Sequence, residues 1–288
     1  MVYDRATKKQ SQTIEVRGWT HYYEWIRSGE QNNKKPVMVF LHGWGGSARY
    51  WRPIAEALSH GFDCLLYDLR GFGRSKLNNT KSKFSYELDE YAKDLAVLLD
   101  TLGLDVVYLN AHSMGASIAT LFLNRYGERV TRAILTCSGI FTYDAKAFAA
   151  FHKFGGYVVK FRYNWFLKVP FADQLFMARF LNRSIDRDLR RAFLEDFLLA
   201  DYDAALGTIY TSVNKQEVTR MPQEFSKLRV LTLLISGEKD KIIPAAMGLQ
   251  AATLNDNIEY VEIAGTGHFP MLEDEENYLV RVRQFLAM

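Results

Sequence analysis

Cysteine is scarce in this chain of 288 residues: only Cys64 and Cys137 occur. Each sits inside an apolar run, so both read as buried core thiols. Two such residues give neither a disulfide framework nor a metal site. No stretch approaches the roughly 18 apolar residues of a membrane span. An excess of one charge is missing too. Lys and Arg total 36 against 33 Asp and Glu, a net +3, which leaves no nucleic-acid footprint at the level of the whole chain. The first ten residues are polar and lack the apolar centre of a signal peptide. Internal repeats and low-complexity segments are absent. What remains is an ordinary balance of 48% apolar and 24% charged residues. The length fits one large α/β domain, or one domain with a sizeable insertion. The expectation is a soluble cytoplasmic protein.

Thr13 to Val16 and Trp19 to Ile26 read as two strands around a turn at Arg17-Gly18. After the polar loop Ser28 to Lys35 comes the unbroken run Val37 to Leu41, apolar on both faces as a central parallel strand requires. The same character returns at Phe62 to Tyr67, Val106 to Leu109, Ala133 to Thr136, Val230 to Ile235 and Ile258 to Ile263. Helical patterns lie between them, at Tyr50 to Leu58, Leu88 to Leu102 and Ser117 to Tyr126. Alternating strands and helices predict an α/β fold, a mostly parallel central sheet flanked by helices. The alternation breaks between Gly139 and about Lys227, where helices and loops follow one another without a central strand. This predicts a core of residues 1–139 and 228–288 with a helical cap of residues 140–227 folding over the sheet's carboxyl edge, where ligands of open α/β sheets bind.

The most informative stretch is Leu109-Asn110-Ala111-His112-Ser113-Met114-Gly115. A strand-forming run ends in a serine flanked by small residues, and a helix-forming segment follows at once. That is the strand, sharp turn and helix of a G-x-S-x-G elbow, with Ala111 where glycine is usual. The turn presents the Ser113 hydroxyl at the strand's carboxyl end and sets the Met114 amide at the start of a helix. A serine hydroxyl needs a base, and the base needs an orienting partner. His268, in Gly265-Thr266-Gly267-His268-Phe269-Pro270, follows the last strand and is the candidate base. Asp240, in Gly237-Glu238-Lys239-Asp240, follows the strand before it and is the candidate acid, with Asp144 as the alternative. The glycine-rich loop His42-Gly43-Trp44-Gly45-Gly46 follows the central strand and can aim an amide at developing negative charge. Trp44 and Met114 are the expected oxyanion donors. As a phosphate loop that segment fails, since it lacks the G-x-x-x-x-G-K-[ST] spacing.

These motifs together resemble the α/β-hydrolase superfamily, in its cap-bearing branch with a serine nucleophile. His42-Gly43-Trp44-Gly45 resembles that family's oxyanion loop, and Asp68-Leu69-Arg70-Gly71-Phe72-Gly73-Arg74-Ser75 its loop after the next strand. The resemblance spans about residues 20 to 286. It implies the order Ser113, Asp240, His268 and no cofactor or metal. Relatives that open epoxides or remove halides carry an aspartate at the elbow, so Ser113 speaks against both. Cleavage of a carboxylic ester through an acyl-enzyme is the first expectation. Carbon–carbon bond hydrolysis, other acyl transfer, or a non-catalytic ligand-binding role are the alternatives.

His42, Gly43, His112 and Phe269 are the candidate pocket residues, although His112 also fits a place beneath the elbow. His21, His60 and His152 show no partner pattern, and Arg70 and Arg74 read as loop braces. Within the cap, Phe151 to Pro170 carries seven aromatic residues among Lys153, Lys160, Arg162 and Lys168, with no acid. One reading is an amphipathic helix packed on the sheet domain. The other is an apolar lid for a small hydrophobic substrate, touching a membrane surface through its basic residues. A monomer or homodimer is expected.

Overall fold

The apolar runs become strands, and their two-residue alternation sorts side chains onto two faces. In the computed structural model, which describes residues 8–29, 35–77, 85–142 and 144–288, nine strands form one sheet. They are β1 (Lys8–Val16), β2 (Trp19–Arg27), β3 (Val37–Leu41), β4 (Asp63–Tyr67), β5 (Lys76–Leu77), β6 (Val107–His112), β7 (Val130–Thr136), β8 (Thr232–Gly237) and β9 (Ile258–Ile263). The first seven residues and most of the Ser28 to Lys35 loop lie outside the described residues. The order is β1-β2-β4-β3-β6-β7-β8-β9, with the short β5 paired to β2. From β4 to β9 every neighbour is parallel, while β1, β2 and β5 pair antiparallel at one end. Val39 and Leu41 of β3 join Leu65 and Tyr67 of β4 in one apolar layer. Met38, Phe40, Cys64 and Leu66 join the other. Helices Leu88–Thr101 and Met114–Arg125 cover the first layer, and Arg52–Leu58 and Glu275–Leu286 the second. Both cysteines are free and buried.

Among the described residues no strand interrupts the stretch from β7 to β8. Helices Ala145–Lys160, Ala172–Met177, Arg187–Leu199, Tyr202–Ser212 and Lys215–Ser226 fill it. Four of these starts follow local chemistry: Asp144, Asp186, Asp201 and Asn214 each accept at least one amide hydrogen of the first turn. The last of these helices packs on the sheet layer, with Met221 and Phe225 in its core and Asn124 Nδ2 donating to the Glu224 carbonyl at 2.8 Å. β3 and β9 have the bounds of the sequence reading, β1 begins five residues before Thr13, and the other strands it named shift by one to three residues. β6 runs on to His112, because Asn110, Ala111 and His112 pair with Ile134, Leu135 and Thr136. Val106 is left exposed ahead of it.

Candidate active site

Four loops leave the carboxyl ends of β3, β6, β8 and β9 and converge on one edge of the sheet, where the strand order places them side by side. The first element is the turn from β6 into helix Met114–Arg125. Ser113 has φ 54° and ψ −121°, a conformation an L-residue holds only when its surroundings impose it. The Ser113 amide donates to the Thr136 carbonyl at 2.9 Å. Close packing supplies the rest of the constraint. A Cβ at Gly115 would stand 2.5 Å from the His42 carbonyl oxygen, so only glycine lets the helix start this near β3. Ala111 is fully buried and paired to both Leu41 and Leu135, and its methyl group is accommodated.

His268 reaches back over this turn. Its Nε2 lies 3.0 Å from Ser113 Oγ, and its Nδ1 lies 2.7 Å from Asp240 Oδ2. Asp240 Oδ1 accepts the amides of Ile242 and Ile243 at 2.7 and 3.1 Å. Burial opposes ionisation of Asp240, but the His268 ring and these donors outweigh it and hold the carboxyl below its ordinary range. An ionised Asp240 fixes the proton of His268 on Nδ1. The Nε2 lone pair then faces the serine hydroxyl, the arrangement that proton abstraction requires. Asp144 takes no part. It caps helix Ala145–Lys160 at the surface, accepting from the Lys146 and Ala147 amides.

The Met114 amide follows Ser113 in the chain and the Trp44 amide follows Gly43, which packs close to Ser113; among the described residues neither donates to a protein acceptor. The Met114 amide is free because it opens a helix, where the first N–H groups have no intrahelical partner. The Trp44 ring is fixed instead by Nε1 donating to the Ala205 carbonyl at 2.9 Å and by contact with Phe197.

The expectation that His42, His112 and Phe269 line a pocket is corrected by the structure, which buries all three almost completely. His42 Nδ1 pairs with the Gly43 carbonyl, and Nε2 accepts the Leu69 amide. Burial lowers its pKa to about 4. His112 Nε2 lies 2.7 Å from the His268 carbonyl, and Nδ1 lies 2.9 Å from Tyr50 Oη. Burial, and then the neighbouring His268, hold this ring neutral as well. Phe269 is wedged among Tyr50, His112, Phe180 and Phe193. These residues brace the site from behind. Gly43 is buried too and packs close to the serine, since a Cβ there would stand 3.0 Å from His112 Nδ1 and 3.1 Å from Ser113 Cβ. Arg70 and Arg74 are loop braces, on Asp94 and Asp68. His21, His60 and His152 have partners in the Asp68 carbonyl, Ser28 Oγ and the Val213 carbonyl.

Three supporting residues carried no signal in the sequence. Tyr50 Oη accepts the Gly43 amide at 2.5 Å while donating to His112, and so ties the Trp44 loop to the His268 backbone. The buried Glu273 carboxylate accepts amides from Gly267, Phe269, Asn182 and Arg183. It joins the histidine loop to the helical segment, whose Phe180 carbonyl also accepts the His268 amide at 2.7 Å. Asp196 accepts from Ser47 Oγ at 2.6 Å and from Arg49, clamping the Trp44 loop to helix Arg187–Leu199. Each also pairs with a distant segment, Tyr50 with His112, Glu273 with Asn182 and Arg183, and Asp196 with Ser47 and Arg49, contacts invisible to spacing rules. Possible metal donors of His112, Cys137 and His268 lie within 4.8 Å of one another. The ring nitrogens are already committed to the bonds above, and burial pushes the Cys137 thiol up, away from the thiolate a metal would need.

The family model described as alpha/beta hydrolase fold matches residues 36–275. The chain belongs to the α/β-hydrolase fold family. One relative of this α/β-hydrolase is AB hydrolase superfamily protein YisY of Bacillus subtilis, 27% identical over 266 residues, or 87% of this chain and 91% of that protein. Bromoperoxidase from Bacillus anthracis has a similar structure, with a TM-score of 0.79 at 22% identity, covering 97% of this chain and 100% of that one. Carboxylesterase CesB of Bacillus subtilis has a TM-score of 0.74 at 21% identity, with 97% and 92% covered. At these identities the two structures share its fold, and they leave its substrate open.

Proposed function

We propose that this α/β-hydrolase is a serine hydrolase that cleaves a carboxylic ester through an acyl-enzyme. The observation that carries the reading is the hydrogen-bonded row Ser113 Oγ, His268, Asp240, at 3.0 and 2.7 Å. In the first step Ser113 Oγ attacks the ester carbonyl carbon and its proton passes to His268 Nε2. Asp240 stabilises the imidazolium without itself taking the proton. The negative charge on the former carbonyl oxygen is met by the Met114 and Trp44 amides. Collapse expels the alkoxide, which recovers the proton from His268 and leaves as the alcohol. Water, deprotonated by the same nitrogen, then releases the acid. No cofactor or metal enters this scheme.

Residues 140–227 act as the cap in this reading. The cap meets the site with aromatic rings: Phe197 on Trp44 and Phe176, and Phe180 beside His268. An aromatic wall at the reacting edge favours an ester with a hydrophobic acyl or alcohol part. One structural neighbour, a carboxylesterase of Bacillus subtilis, is of this class. A fluorophosphonate probe should label the wild type and leave Ser113→Ala unlabelled, with hydrolysis rising along a series of esters of increasing chain length. A folded wild type that takes no label overturns the reading. Labelling without ester turnover transfers it to carbon–carbon or amide chemistry at the same serine.

A further inference from the structure

Helix Ala145–Lys160 turns two different faces to its surroundings. Inward it offers Gly155 and Val159, both buried, and Gly155 sits directly against Ile209. These small contacts complete its packing on helix Tyr202–Ser212. Outward it carries Phe151, Phe154 and Tyr157, three residues apart and therefore on one side. The row does not stop with the helix. Tyr157 stacks on Phe161, Phe161 meets Tyr163, and Tyr163 stacks on Trp165 at an interplanar angle of 12°. Beyond it stand Phe171 and Leu175, 72% and 75% exposed. Phe171 also holds a left-handed backbone, φ 61°, a conformation a bulky side chain adopts at a cost. That cost sets a large apolar ring in water. Scattered apolar residues are ordinary on a surface, whereas a continuous aromatic row marks an interaction site.

The charges around this row have one sign. From Ala145 to Ala172 the chain carries Lys146, Lys153, Lys160, Arg162 and Lys168 and no Asp or Glu. The four lysines form no ion pair among the described residues. Beside Phe171 a surface depression of about 270 Å³ has Lys168, Arg187 and Arg191 in its lining. Its one acid, Asp173, is taken by Arg190, and Arg191 shares Glu195. Aromatic rings that sit at the boundary of headgroups and acyl chains, with lysines beside them for the headgroups, are what a peripheral membrane contact needs. No helix among the described residues is long and apolar enough to cross a membrane, so the contact is one of lying on the surface.

We infer that the outward face from Phe151 to Leu175 docks this protein on the surface of an anionic phospholipid bilayer. The inference stands apart from the ester reading, since none of these side chains belongs to the Ser113 site. Its test is co-sedimentation of the full chain with vesicles of phosphatidylglycerol and phosphatidylcholine, against vesicles of phosphatidylcholine alone. The wild type should sediment with the anionic vesicles, and weakly with the neutral ones. Raising the salt should release it. The variant Lys153→Gln/Lys160→Gln/Lys168→Gln should lower the anionic-vesicle partition on the order of a hundredfold, at several-fold per lysine. Trp165→Ser/Phe171→Ser should lower it at least about tenfold on both vesicle types, because it removes the buried apolar area. Unchanged circular dichroism establishes that both variants fold. Because the charge and aromatic sets are independent, either one tests the inference if the other fails to fold. A wild type that stays in the supernatant with anionic vesicles overturns the inference, as does binding that neither variant weakens. A wild-type dimer that Trp165→Ser/Phe171→Ser converts to a monomer, with no vesicle binding by either, assigns the face to a second copy of this chain instead.

Discussion

Aromatic residues do opposite work on the two sides of the helical segment. On the inner side Tyr50, Phe193 and Phe269 are buried, packed edge to face, and continuous with the braces behind Ser113 and His268. On the outer side Phe154, Tyr163, Trp165 and Phe171 are exposed, and Tyr163 stacks on Trp165 at the surface. The composition of the two sets is alike. Their surroundings differ: the inner rings pack against groups that must be held at fixed distances, His112 and the Gly43 amide on Tyr50 among them, and among the described residues the outer rings have no such polar partner. The difference teaches that ring burial here maintains geometry, while ring exposure leaves apolar area available for something outside the chain.

The sharpest way to break this comparison lies at the inner site. Asp240→Asn should lower ester turnover by about 10⁴-fold through the wrong imidazole tautomer, while Asp144→Asn, at the surface cap of the outer helix, leaves it unchanged. Steady-state kinetics on one ester distinguish them, and the reverse result would move the acid to Asp144.

A smaller effect comes from the buried braces. His42 is neutral in the fold, with its pKa lowered by burial from 6.5 to about 4, and burial lowers His112 and His21 in the same direction. The unfolded chain binds these protons near pH 6.5 and the folded chain does not. Stability is therefore full above pH 6.5 and declines as pH falls towards 4, by on the order of 3 kcal/mol from His42 alone. Asp240 has a lowered pKa, so its contribution persists down to ordinary carboxylate pH and is lost only below it. Urea midpoints at a series of pH values measure this slope. A flat profile between 6.5 and 4 would mean that the histidines are not buried as described.

Tyr50→Phe keeps the inner ring and deletes its hydroxyl, leaving the buried Gly43 amide and His112 Nδ1 without their partner. The expected loss is about 1–3 kcal/mol, read by thermal unfolding, with a fall in kcat larger than any change in KM. The smallest effect belongs to the outer row. Phe171→Ser should change folding stability by no more than about 0.5 kcal/mol. A large loss there would show that the outer rings are structural after all, and the comparison would collapse.

Much of the site is legible in the sequence because it is punctuated locally. Ser113 follows an apolar run and precedes a helical pattern, and Asp240 and His268 each follow another such run. In a parallel sheet all those loops emerge on one edge. The order of strands and the small residues of the elbow thus bring the three together before any distance is known. His42 and Phe269 brace the site where the sequence suggests pocket residues, and His112 takes the second of its two expected places, beneath the elbow, because adjacency in sequence carries no information about which way a ring points. The partners that turn them inward, Leu69, Tyr50, the His268 carbonyl and Phe193, come from other elements. Glu273 and Asp196 stayed hidden for the same reason.

By itself the sequence determined the parallel sheet, the elbow, and the loops that supply a serine, an acid and a histidine, because periodicity and turn chemistry act over a few residues. Only the tertiary structure decided which histidines brace, which carboxylate meets His268, and which aromatic rings face water. Those choices rest on burial and hydrogen bonding between segments dozens of residues apart, and such energies are fixed only once the chain has folded.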